Sequence, residues 1–206
     1  MLKETFTGLL KKYTGDGALV HLLWEEVCKK YSGRKRHYHT LQHLENLLAQ
    51  LVEVKGEIKN LDTVLFSLYY HDIVYNVLQQ DNEEQSARLA ECRMKQISVA
   101  DDTIEDCKKM ILATKSHLPS TDSDTNYFTD ADLSVLGQDW QAYSLYCKNV
   151  RKEYSIYPNF IYNPGRKKVL NHFLSMDSIF KTPYFNNKFE VQAKQNMQKE
   201  LALLNG

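Results

Sequence analysis

Leu61-Asp62-Thr63-Val64-Leu65-Phe66-Ser67-Leu68-Tyr69-Tyr70-His71-Asp72 is the stretch that decides the fold. Its very apolar run to Tyr70 predicts a central helix, with Asp62 as its cap. An imidazole and a carboxylate then stand side by side where a buried segment should be losing polar residues. Working outward, Ala18 to Tyr31 sets Val20, Leu23, Trp24, Val27 and Tyr31 at three- and four-residue spacing, the period of an amphipathic helix. Leu41 to Leu51 repeats that spacing with leucines and His43, and Glu83 to Ile97 does so with Ala87, Ala90, Met94 and Ile97. Asp102 with Glu105 resembles a capping box ahead of Ile104, Cys107 and Ile111. Asp139 to Tyr154, a stretch opened by Asn163 and Pro164, and Phe189 to Leu204 complete the pattern. No β-rich segment interrupts it. The expectation is an all-α, single-domain helical bundle whose longest irregular piece is the loop His117 to Tyr127.

Composition narrows the classes of function. The 206 residues are 43% hydrophobic, which suits one globular core. Lysine plus arginine balances aspartate plus glutamate at 26 each, so no overall field draws in nucleic acid or an acidic membrane surface. The four cysteines, Cys28, Cys92, Cys107 and Cys147, are far apart and form no CxxC, which fits buried thiols in a reducing compartment. The chain has no apolar leader and no run of 18 apolar residues, so a cytoplasmic protein is expected.

Chemistry concentrates in three places. In Arg36-His37-Tyr38-His39-Thr40-Leu41-Gln42-His43, His39 and His43 stand four apart and share a helical face, and a metal could use either. His71-Asp72 supplies two short donors to one ion, and a cation would offset the cost of the carboxylate. Thr129-Asp130-Ala131-Asp132 offers two more carboxylates, either of which, taken alone, is most simply a helix cap.

A histidine at position 39, an HD doublet at 71 and 72 and an aspartate at 132 together resemble the HD superfamily of metal-dependent phosphohydrolases. The chain is more closely similar to a family of about two hundred residues that carries RxYHxxxH, HDxxY, DNExSA, DADLSxLG, RxEY and GR. Those motifs stand here at Arg36 to His43, His71 to Tyr75, Asp81 to Ala87, Asp130 to Gly137, Arg151 to Tyr154 and Gly165-Arg166. The likeness covers about residues 34 to 170, with flanking helices at both ends of a single domain, 1–206. It implies an HD-type helical bundle with metal ligands His39, His71, Asp72 and Asp132, and Asp130 as the alternative to Asp132.

The activity implied is hydrolysis of a phosphoester or phosphoanhydride by metal-activated water, on a nucleotide or related small phosphate ester. The cofactor would be one divalent ion, with manganese, iron, cobalt, nickel or zinc favoured over magnesium by the mixed nitrogen and oxygen donors. Glu83, Glu84 and His117 are the candidates for moving protons. Arg36, His43, Lys115, Arg151 and Arg166 are the candidates for gripping substrate. No nucleic acid or membrane partner is expected, and oligomeric state is not legible. Two other classes fit less well: a catalytically inactive nucleotide-binding regulator on the same fold, and a helical adaptor whose His and Asp residues are incidental.

Overall fold

The computed structural model describes residues 1–205, and among them the chain is all-α: ten helices, one short 3-10 turn and no strand. The chain divides into two compact units, Met1–Thr129 and Asp130 onward. The boundary falls inside a single unbroken helix, Ser123–Leu133.

The first unit opens with α1 (Leu2–Leu10) and α2 (Gly17–Tyr31). Asp16 starts α2 by accepting the amides of Ala18 and Leu19, each at 3.0 Å. α3 (Leu41–Glu53) turns His43, Leu44, Leu47, Leu48 and Leu51 inward. α4 (Leu61–Tyr70) is the axis of the unit, and every residue from Thr63 to Tyr70 is buried. Helices α5 (Asn82–Gln96) and α6 (Asp101–Ala113) pack on each other and on α4, while α1 and α3 cover other parts of α4.

A helix enclosed on all sides needs partners for its polar groups as well as for its apolar ones. The Tyr69 hydroxyl donates to Leu2 O at 2.8 Å, the Tyr31 hydroxyl to Tyr69 O at 3.2 Å, and Ser67 bonds back to Thr63 O. Phe6 sets the edge of its ring against Tyr69, with centroids 4.8 Å apart. Arg93 on α5 grips Glu26 on α2 through two bonds, at 2.7 and 2.8 Å.

The sequence expectations differ from the structure in several places, each for a local reason. α4 is capped by Asn60, whose side chain accepts the Thr63 amide, and Asp62 in the first turn instead takes Lys12 and Tyr13. Asp102 with Glu105 makes no capping box: Ala100 is the N-cap of α6, and Glu105 pairs with Lys108. The expected loop to Tyr127 is shorter, because α7 (Ser123–Leu133) begins inside it. That helix is rooted in the first unit by Asp124, whose buried carboxylate accepts the amides of Lys59 and Asn60 ahead of α4. Asp130 and Asp132 close α7 and do not cap its start. All four cysteines are free, and Cys92 is exposed rather than buried.

In the second unit the 3-10 turn Ser134–Gly137 leads to α8 (Trp140–Glu153), capped by Asp139, then α9 (Asn159–Leu174) and α10 (Pro183–Asn205). α9 begins before Asn163-Pro164, so Pro164 sits in its second turn and does not open it. Asp130 is wholly buried and accepts the amides of Lys181 and Thr182 and the Thr182 hydroxyl, with the Lys181 ammonium 3.3 Å away. Burial pushes its carboxyl above the ordinary value, against the pull of Lys181 and those donors. A carboxylate at the start of α10 also complements the helix dipole. The Asn196 amide donates to Leu136 O and Gln138 O at 2.8 Å each, which fastens α10 to the 3-10 turn.

Gly137 makes that approach sterically possible. A Cβ there would fall 2.7 Å from Phe189 O and 2.8 Å from Phe189 Cα, against backbone that cannot swing aside. Gly165, inside α9, has nothing within 4 Å of the same added atom. Gly137→Ala is therefore expected to destabilise the protein by about 1–3 kcal/mol through overpacking. Gly165→Ala should stabilise it by about 0.5–1 kcal/mol. Urea denaturation of both variants checks the contrast, and equal effects would refute the packing argument.

Candidate metal centre

α4 ends at Tyr70, and His71 takes the C-cap position with its amide bonded to Ser67 O at 2.9 Å. The imidazole is thus delivered at the end of the buried helix and is 1% exposed. Its Nδ1 lies 3.1 Å from Leu68 O. A carbonyl can only accept, so Nδ1 carries the hydrogen and Nε2 of the neutral ring presents a lone pair.

That Nε2 meets two further donor atoms. His43 Nε2, from the first turn of α3 and 4% exposed, is 3.1 Å away, and Asp72 Oδ2 is also 3.1 Å away. Asp72 Oδ2 lies 3.8 Å from His43 Nε2 and 3.8 Å from His39 Nε2. Burial works to raise the Asp72 carboxyl, but the imidazoles of His71, His39 and His43 more than offset it and hold it below the ordinary carboxylate value. Atoms this close need a hydrogen on one of them or a cation among them.

The donor set fits a divalent transition metal. Two imidazole nitrogens sharing one ion at about 2.0–2.1 Å and a near-right angle stand about 3 Å apart. The Leu68 bond to Nδ1 is the kind of outer contact that aims a metal-ligating histidine. α7 brings Phe128 edge-on to His71, with centroids 5.7 Å apart, and Asp132 follows one turn further along the same helix. Within the first unit, His43 and His71, with Asp72 beside them, present donor atoms that could hold a metal ion.

His39 occupies a different position from His43. It precedes α3, is 19% exposed, and lies against Tyr75 with ring centroids 4.2 Å apart. Arg36 donates to His39 O at 3.0 Å, Asp72 O at 2.8 Å and Ile73 O at 3.1 Å. Lys115 pairs with Glu84 at 2.6 Å and also donates to Gln80 O, so these two candidates neutralise each other. Glu83 and Glu84 both lie in the first turn of α5, where the helix dipole favours acids. His117 follows the turn after α6, its amide on Ala113 O and its backbone left-handed at φ 52°, a conformation costly for a residue with a side chain. Arg151 donates to Tyr154 O, Tyr157 O and the Asn159 side chain, closing the turn between α8 and α9. Arg166 is buried on Glu200 at 2.7 and 2.9 Å, alongside Tyr143 and Cys147.

Sequence reasoning missed what the DNExSA motif does. Asn82 Oδ1 accepts the Asn76 amide at 2.9 Å while its Nδ2 donates to Asn76 O. Ser86, one turn on and fully buried, accepts the Val74 amide at 3.1 Å and lies 3.3 Å from Val74 O. The two residues therefore clamp the segment that follows His71-Asp72. Their four-residue spacing on one face of α5 was the available signal. No family model matches the chain, and no curated protein or solved structure matches it either.

Ser86→Ala would strip the partners from both Val74 backbone groups. The expected loss is about 1–3 kcal/mol of stability, the cost of stranding part-buried polar groups. Chemical denaturation measures it, and a change under about 0.3 kcal/mol would show the clamp to be idle.

Proposed function

We propose that this protein is a metal-dependent phosphohydrolase of the HD superfamily acting on a small phosphate ester, with a nucleotide or related compound as the substrate class. The observation that carries the reading is the convergence of His43 Nε2 and Asp72 Oδ2 on Nε2 of buried His71, each at or within 3.8 Å of the other two. His43, His71 and Asp72 would hold one divalent ion. The sequence expectation gave that role to His39 and left His43 for substrate. The burial of His43 and its 3.1 Å approach to His71 support exchanging the two.

When bound, such an ion lowers the pKa of a coordinated water towards about 7 and polarises a phosphoryl oxygen. The protein's own side chains do the rest. His71, fixed by Leu68 O, keeps its lone pair aimed inward. Asp72 stays ionised because three imidazoles surround it. His39, more exposed and braced by Tyr75, is the imidazole able to hold a proton and pass it to a leaving oxygen. Asp72 already offsets half of a divalent charge, so a doubly charged phosphate ester needs further positive groups. With the Lys115 ammonium on Glu84, the protonated His39 is the first candidate for that charge.

Elemental analysis and kinetics test the proposal. Protein purified without chelator should carry about one transition-metal ion per chain, and His71→Ala should carry none. Hydrolysis in a phosphate-ester screen should vanish with chelator and return with manganese, cobalt or nickel. Full turnover in excess chelator would sink the assignment. His39→Ala should keep its metal and lose about 100- to 10,000-fold in kcat, as for removal of a general acid. Loss of metal from His39→Ala with retention in His43→Ala would return the ligand role to His39.

A further inference from the structure

The guanidinium of Arg36 joins two ligand-bearing segments that are far apart in sequence. One edge reaches back to His39 O, and the other reaches Asp72 O and Ile73 O across to the end of α4. Its carbon lies 4.8 Å from the Tyr31 ring centroid and 5.4 Å from that of Tyr75, so the plane is braced by two aromatic rings. Tyr75 in turn lies against the His39 imidazole. Tyr31 is fully buried, and its hydroxyl bonds to Tyr69 O in α4.

We propose that Arg36 is a positioning residue for the metal centre, holding the backbone of Asp72 against the segment that leads into α3 and His43, and through it setting the affinity for the ion. This rests on the metal-site reading above. Charge-assisted bonds from the two terminal nitrogens to three carbonyls use the fork geometry that distinguishes arginine from lysine. A lysine ammonium keeps the charge but is a point donor that cannot span both segments. The same bonds give Arg36 a task other than gripping a substrate phosphate.

Cobalt(II) titration with a competing chelator, applied to the full chain, separates these roles. Wild type, Arg36→Lys, Arg36→Ala and the exposed neighbour variant Lys35→Ala would be compared by dissociation constant and by the cobalt visible absorption band. Melting of the metal-free proteins gives the purely structural contribution. Both Arg36 variants should bind cobalt about 10- to 100-fold more weakly, as for loss of an outer contact to a metal ligand. Their absorption bands should be altered, and Lys35→Ala should match wild type. If Arg36→Ala does not fold, Arg36→Lys decides alone. Wild-type affinity and spectrum in Arg36→Lys would overturn the proposal, most directly if inorganic phosphate then bound that variant more weakly. Failure of wild type itself to bind cobalt would instead overturn the metal reading on which the proposal rests.

Discussion

A carboxylate placed beside imidazoles at the end of a fully buried helix is the constraint on which this molecule depends. Removing a charge from water costs several kcal/mol unless partners compensate it. α4 leaves little water to provide that compensation, since Thr63 to Tyr70 are enclosed on every side. The chain must therefore bring partners to Asp72, and it brings His71 from the same helix end, His43 from α3 and His39 from the segment before it. With its Nδ1 on Leu68 O, His71 turns Nε2 towards His43 Nε2 and Asp72 Oδ2. A hydrogen shared between two of these atoms can hold such a cluster together, and the same donor set suits a cation.

The residues around the cluster divide between those that meet at the centre and those that hold the backbone behind it. Arg36 bridges two segments, Asn82 and Ser86 clamp the loop after the doublet, and Asp124 fastens α7 to the start of α4. Each is a polar residue spent on main-chain groups. Buried backbone polar groups must be paired, and the chain around a site is irregular because it has just left a helix. Charged and polar residues in a motif can therefore serve the fold that presents a site as readily as the chemistry within it.

The helical fold was legible because periodicity reports burial directly. α2, α3, α5 and α10 follow their spacing of apolar residues, and α4 declares itself by having no polar face. α1 carries the same signal in Leu2, Phe6, Leu9 and Leu10, a short pattern the sequence analysis did not use. α7 was harder: Ser123-Asp124-Thr125-Asn126 is turn-like in composition, and tertiary bonds from Asp124 override that preference. Among the candidate site residues, His71 and Asp72 were readable as adjacent donors after an apolar run. The separate positions of His39 and His43 were not, because four-residue spacing puts both on one face and says nothing of which ring is buried. Nor could spacing reveal that Lys115 lies on Glu84 or that Arg166 lies on Glu200, pairs formed by chain segments remote in sequence.

X-ray absorption at the metal edge of protein loaded with one equivalent of cobalt or zinc reads the donors themselves. A mixed shell of nitrogen and oxygen at about 2.0–2.2 Å is expected, with the outer scattering of at least two imidazole rings. That scattering should fall when His43 or His71 is replaced by alanine. An all-oxygen shell, or a spectrum indifferent to both substitutions, would contradict it.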